Sequence, residues 1–394
     1  MNGATLSLKR LFAAACVALT AVTTTVVLTA SPAAAAVSDG AVFNNPLVAA
    51  EQYKIRDHVR TLIDGSPAGS TIRIAMYNFT DTVISGALIS AKDRGVNVRL
   101  VVNYDTSTSA AVTSLKTALG TDRTQASWVS VCTSGGACIG SAGTPIMHNK
   151  FYLFSSTNGS SNVVVQSSAN LTVSNATVYW NNAVTLVGNA GLYNAYADYH
   201  SDLAAKVKNS NYYTSVLSGN AKVYFFPRAG TDETTDTIYN MLNENITCEG
   251  NTTTGTSDLH RTIIRVGMWY FSRDDIARRL KELANEKCWV DVIYTEADAG
   301  VLGQLRGNSR IAVYQVPENP NIIHSKYLAI EGTYIDQKDT KWVITGSHNY
   351  SNAALRENDE AMIRIKSDAI FDQYRANFRT VRANAVPDPN SAAS

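Results

Sequence analysis

The sequence has no surplus of charge of either sign: 34 Lys and Arg stand against 33 Asp and Glu, a net charge of +1 over 394 residues. Proteins that live on polyanions usually carry a basic surplus, because neutralising phosphates supplies most non-specific affinity for nucleic acid. Nothing global points to DNA or RNA, which leaves only a local basic groove for such a partner. Charge of any sign is also sparse, at 17 % against 45 % hydrophobic residues, which excludes a disordered chain and predicts a sizeable core. The length excludes a peptide-sized scaffold and suits two domains of roughly 100–200 residues or one large fused pair. Cysteine is scarce, with five residues. Their spacing lacks paired CxxC knuckles and no histidine cluster accompanies them, so zinc is a poor reading of the thiols.

Lys9 and Arg10 precede an uncharged stretch from Leu11 to Ala30, and the segment ends in Ala34, Ala35 and Ala36. This pattern predicts a secretory signal over residues 1–36, rather than a retained membrane anchor, and hence a secreted, extracellular protein. Cleavage after Ala36 would remove Lys9 and Arg10 and no acid, taking the net charge from +1 to about −1. Cys16 would leave with the signal. Cys132, Cys138, Cys248 and Cys288 remain, an even number in an exported chain, which reads as two disulfides among three connectivities. Cys132 with Cys138 and Cys248 with Cys288 is preferred, since it staples each half separately.

The chain repeats itself. Ile72–Phe79 aligns with Ile264–Phe271, and the register holds without a gap to Val102 and Tyr294, with seven of 31 positions identical. Each copy reads as strand, loop, helix, strand: Ile276, Leu280 and Leu283 recur at helical spacing, as do Val83, Ile84, Ala87, Leu88 and Ala91, and short apolar runs come after them. Two such units predict an α/β fold of two lobes related by pseudo-twofold symmetry. The expected division is residues 37–222 for the first lobe and 223–394 for the second.

The repetition extends beyond these units. Met147-His148-Asn149-Lys150 precedes Ser168-Ala169-Asn170, and Ile323-His324-Ser325-Lys326 precedes Ser347-His348-Asn349. In a strand, residues two apart project from one face, so each lobe presents an imidazole beside an ammonium group. A lone surface Lys or His means little. The same pair twice in a repeated frame points to a site.

The doubled His-x-Lys, the trailing Ser-x-Asn and the bilobal repeat resemble the phospholipase D superfamily of phosphodiesterases, whose signature is HxK followed, after four further residues, by Asp. The similarity spans roughly residues 50–380. Where that family carries Asp, this chain has Ser155 and Glu331, read either as structural strand-end residues or as drift toward a binding protein. The resemblance implies two phospholipase D-like α/β lobes, with mixed sheets flanked by helices and the active site at their interface. It implies a covalent phosphohistidine, with one histidine attacking phosphorus and the other protonating the leaving oxygen from the opposite side. Lys150, Lys326, Asn170 and Asn349 would donate to the non-bridging oxygens, with Ser168, Ser347 and Glu331 in support. Neither a cofactor nor a metal is expected, since the sequence offers no carboxylate-and-histidine cage.

In related enzymes an acid beyond the Ser-x-Asn loop steadies the attacking imidazole. Glu360 lies eleven residues after Asn349, whereas Asn181 and Asn182 stand at the corresponding place in the first lobe. The expectation is therefore that Glu360 serves His324 as nucleophile, with His148 as general acid. Two substrate classes are open: a phospholipid, with transient contact at a membrane surface, or nucleic acid cut by a metal-independent nuclease of the same fold. The near-neutral charge favours lipid, and a catalytically silent binder of phosphorylated ligands is the third reading. With both motifs in one chain, a monomer can complete the site.

Overall fold

In the first repeat, Thr71–Met76 pairs in parallel with Asn97–Val102, and the helix Thr82–Asp93 crosses between them. In the second, Ile263–Phe271 pairs in parallel with Trp289–Ala297 across the helix Asp274–Asn285. The helices form where the apolar spacing puts them. The Asp81 carboxylate accepts from the backbone N–H groups of Val83 and Ile84, and Asp274 and Asp275 occupy the first turn of the second helix, offsetting unpaired amides and the helix dipole. Ile276, Leu280 and Leu283 are wholly buried along one stripe. Trimming Leu280 to Ala would cost about 2–5 kcal/mol.

This computed structural model describes residues 1–3, 35–244 and 246–392. The expected signal segment lies almost wholly outside the described residues. Among the described residues, no helix is long and apolar enough to cross a membrane.

Each repeat opens a mixed sheet, and in each the strand that begins at the site lysine runs antiparallel to the first strand of the repeat. Lys150–Thr157 lies between Thr71–Met76 and Ser160–Ser167 in a seven-stranded sheet; Lys326–Tyr334 lies between Ile263–Phe271 and Gln337–Gly346 in a nine-stranded one. The register is shared: Lys150 is opposite Met76, and Lys326 is opposite Met268. The turn after Ser155 is tight, at Asn158 and Gly159, both with positive φ, the backbone that an Asn-Gly hairpin supplies at least cost.

Three hydrophobic cores stack these elements in layers. Helices Lys54–Asp64, Thr82–Asp93 and Ala110–Leu119 cover the outer face of the first sheet, with Ile63, Leu88 and Leu115 against Ile74 and Phe154. Helices Thr237–Asn243, Asp274–Asn285 and Ala299–Leu305 cover the outer face of the second. Between the sheets lie Ala190–Ala205 and Asp368–Arg382, in one core shared by both lobes. The described residues from 35 onward are thereby one compact unit.

The expected boundary after residue 222 is corrected. It falls inside the strand Ala221–Phe226, which, with its hairpin partner Thr214–Ser218, closes the edge of the nine-stranded sheet. The chain changes lobe earlier, after the helix Ala190–Ala205. The reason is side-chain alternation: Phe225 stacks on Tyr199 at 4.2 Å in the shared core, while Tyr224 and Phe226 enter the outer core of the second lobe. Two disulfides, Cys132–Cys138 and Cys248–Cys288, staple one lobe each, the preferred pairing.

Candidate functional site

Strand alternation delivers the two imidazoles and two ammonium groups to the junction of the lobes, and all four are buried: His148 is 4 % exposed, Lys150 0 %, His324 3 % and Lys326 2 %. Lys150 Nζ donates to the backbone carbonyl of His148 at 2.6 Å, and Lys326 Nζ to that of His324. Each lysine also lies over an aromatic ring at 5.1 Å, Lys150 on Tyr77 and Lys326 on Trp269. Tyr77 and Trp269 hold equivalent places in the repeat, so an aromatic aligned with an aromatic was the signal that sequence reasoning passed over. Tyr179, stacked on His324 at 5.4 Å, had no such signal.

The acidic partner is exchanged between lobes. Glu360 Oε1 lies 2.8 Å from Nδ1 of His148, and Asn181 Oδ1 lies 2.9 Å from Nδ1 of His324. The expectation that Glu360 serves His324 is thus corrected. The backbone explains the exchange. Met147 bridges in parallel to Asp359, and Ile322 and Ile323 pair in parallel with Tyr179 and Trp180. The segment leading into each histidine therefore runs beside the segment leading into the other lobe's Asn181 or Glu360.

The Ser-x-Asn loops divide their labour. Ser168 donates to Asn181 Oδ1 at 2.9 Å, and Ser347 donates to Glu360 Oε2. Both hydroxyls hold the groups that hold the histidines, which makes them supports behind the rings rather than phosphate donors. Asn170 Oδ1 accepts from the Asn78 backbone N–H at 3.3 Å, which turns its amide N–H₂ elsewhere. Asn349 borders a cleft of about 410 Å³ with His148, Tyr77, Trp269, Tyr270 and Asn358.

Glu331 and Ser155 do not join this group. Glu331 accepts from Arg265 at 3.1 Å and from Arg375 at 3.2 Å. It stands five residues along the strand from Lys326, roughly 17 Å away at about 3.3 Å per residue. The Ser155 hydroxyl accepts from the Thr71 backbone N–H at 2.8 Å. Both are strand-locking residues, and the expected supporting role of Glu331 at the phosphate is corrected.

Burial sets the electrostatics. It drives both imidazoles well below the usual histidine range, and the Lys150 and Lys326 ammonium groups, each acting on both rings, push the same way. Burial also brings Lys150 down to about 7 and raises Glu360 to about 8, while their mutual attraction opposes both shifts. Lys326 is driven well below the lysine range by burial and then by Lys150. A monoanion bound beside them would favour the ammonium forms of both lysines. Among the described residues no three His, Cys, Asp or Glu side chains converge in a metal-holding arrangement.

The family model described as cardiolipin synthase, PLD-like domain, matches residues 61–209 and 260–382, more than half of the chain. The structure is similar to phosphatidylserine synthase from Haemophilus influenzae Rd KW20, with a TM-score of 0.60 and 11 % identity over 86 % of each chain. It is also similar to polyphosphate kinase from Porphyromonas gingivalis, with a TM-score of 0.59 and 14 % identity over 90 % of this chain and 49 % of that one. The chain thus spans about half the length of that kinase. A shorter match is to Nuc, a phospholipase D family member from Salmonella typhimurium, with a TM-score of 0.32 and 23 % identity over 43 % of this chain and 95 % of that one. No curated protein matches the sequence. The solved structures speak for the fold, and the matched segments fall on the two lobes that carry the doubled His-x-Lys. The chain belongs to the phospholipase D superfamily, whose members act on phosphodiesters.

Proposed function

We infer that the protein is a phospholipid phosphodiesterase that works through a phosphohistidine on His148. The observation that carries this reading is the 2.8 Å contact between His148 Nδ1 and Glu360, set against the neutral amide given to His324. A phosphorylated imidazole is cationic, and a carboxylate on its second nitrogen fixes the tautomer and offsets that charge. An amide accepting from Nδ1–H of His324 orients the ring without stabilising a permanent cation, which suits a group that gives and takes a proton.

With Nδ1 engaged, Nε2 of His148 attacks phosphorus. The P–N bond forms as the P–O bond to the leaving alcohol breaks; His324, which the bound anionic phosphodiester favours in its protonated form against the downward pull of burial and the lysines, gives its Nε2–H to that oxygen. His324, now neutral, takes a proton from water, or from an acceptor alcohol, which attacks phosphorus and breaks the P–N bond. Lys150, Lys326, Asn170 and Asn349 donate to the non-bridging oxygens throughout.

The cleft favours a lipid head group over a polynucleotide. The side chains that border it, Tyr77, Trp269, Tyr270, Asn349 and Asn358 among them, include no Lys or Arg to track a run of phosphates. The reading carries with it export, action as a monomer and transient contact with a lipid surface.

Two experiments test it. Purified protein incubated with phosphatidylcholine vesicles, with single- and double-stranded DNA and with bis(p-nitrophenyl) phosphate, all with EDTA, is expected to release head group and leave DNA intact. DNA fragmentation alone would make it a nuclease, and silence on all substrates a binding module. Acid-quenched, labelled enzyme mapped by peptide is expected to carry phosphate on His148, and label on His324 overturns the assignment.

A further inference from the structure

The exchange between lobes is symmetric in its backbone and unsymmetric in its side chains, at Asp359 and Trp180 as well as at Glu360 and Asn181. His148 N–H donates to the carbonyl of Asp359, and His324 N–H to the carbonyl of Trp180, both at 2.9 Å. Asp359 and Trp180 thus hold equivalent places. Trp180 fills its place with a ring in the shared apolar core. Asp359 fills its place with a carboxylate at 0 % exposure.

That carboxylate accepts from three consecutive backbone N–H groups of the first lobe: Cys138 at 2.7 Å, Ile139 at 3.0 Å and Gly140 at 2.7 Å. The first of these amides ends the loop closed by the Cys132–Cys138 disulfide and the other two follow it directly, and Lys208 donates to the carbonyls of Ala137 and Gly140. The contacts continue along the same segment. Thr144 N–H donates to Glu357 Oε2 and Ile146 N–H to Asn358 Oδ1, each at 3.0 Å. Gly140 admits no side chain, since a Cβ there would lie 2.0 Å from the Glu357 carbonyl oxygen.

A buried carboxylate is costly unless its lone pairs are filled, and Trp180 shows that an apolar residue can dock the equivalent segment. Something beyond lobe docking is served by the acid. Successive side chains in extended backbone point to opposite faces, so gripping Asp359 on one face fixes where Glu360 points on the other. A slip of one residue would turn Glu360 away from the cleft.

We propose that Asp359, held by the disulfide-closed loop of the first lobe, is a positioning residue that sets Glu360 against Nδ1 of His148. The catalytic consequence rests on the reading of His148 as nucleophile. The positional consequence does not.

Histidine ¹⁵N NMR reads the contact directly, and steady-state turnover of bis(p-nitrophenyl) phosphate reads its effect. Asp359→Asn is expected to move the Nδ1 resonance of His148 while leaving that of His324 in place, and to lower kcat about tenfold with KM changed less than about twofold. Cys132→Ser with Cys138→Ser, which leaves Asp359 present, is expected to shift the same resonance. Wild-type resonance and kcat in Asp359→Asn would overturn the proposal. If Asp359→Asn does not fold, an unmoved His148 resonance in the double-serine protein overturns it instead. A moved resonance with phosphate trapped on His324 leaves the clamp standing and removes only the nucleophile assignment.

Discussion

Glu360 Oε1 lies 2.8 Å from Nδ1 of His148, 212 residues earlier in the chain and in the opposite lobe. The contact gives the two histidines different partners, carboxylate for one and amide for the other. It separates two rings that the repeat would otherwise make equivalent.

The first consequence is a difference between single mutants. His324→Ala should still form phosphohistidine with bis(p-nitrophenyl) phosphate, because p-nitrophenolate leaves without a proton, whereas His148→Ala should form none. Turnover of phosphatidylcholine should fall about 10²- to 10⁴-fold in His324→Ala, the range of acid-base catalysis. Rapid-quench phosphoenzyme yield checks this, and equal yields from both variants would sink it.

Glu360→Gln should lower kcat about 10- to 100-fold, as loss of a histidine-orienting carboxylate does elsewhere. Asn181→Ala should cost less with a nitrophenyl leaving group than with choline, since only the latter needs the proton. The ratio of the two substrates' rates in each variant is the measurement.

The pH dependence comes from burial. Burial brings Lys150 down to about 7, so kcat/KM should fall on the alkaline side as the ammonium is lost. A bound phosphodiester favours the ammonium, so kcat should hold to higher pH than kcat/KM. Alkaline limbs that coincide would contradict this. The stability sign is separate. The folded-state value of Lys150 lies below its unfolded value, so between about pH 7 and about pH 10 the unfolded chain holds more protons and this residue's share of stability rises with pH.

Glu331→Ala should destabilise by about 3 kcal/mol, because it leaves the mostly buried Arg265 without its nearest carboxylate. Activity per folded molecule should stay unchanged. Urea unfolding gives the first quantity and titrated active sites the second; a large loss of kcat would return Glu331 to the reaction.

Much of this was legible in the sequence, where local geometry decides. Strand alternation puts His148 with Lys150 and His324 with Lys326 on one face, and the gapless repeat places both pairs in equivalent frames. Counting eleven residues past Asn170 and Asn349 finds Asn181 and Glu360. Counting cannot say which imidazole each one reaches, because that depends on parallel bridges across the lobe junction, a tertiary fact with no local pattern. The boundary failed for a related reason. The run Ala221–Phe226 reads equally well as the end of one lobe or the start of the next until the faces of Phe225 and Phe226 are known. Ser155 and Glu331 stood at a motif position, yet their partners, Thr71 and Arg265, belong to the neighbouring strand.

In an assembly of two identical chains, symmetry would force both histidines to share one kind of neighbour. Joining the halves in one polypeptide lifts that constraint, so a mutation to Asn at one position need not be copied at the other. The crossed wiring between Asn181 and Glu360 then makes each half dependent on what its sibling kept, and two separately expressed halves would be incomplete reagents until mixed.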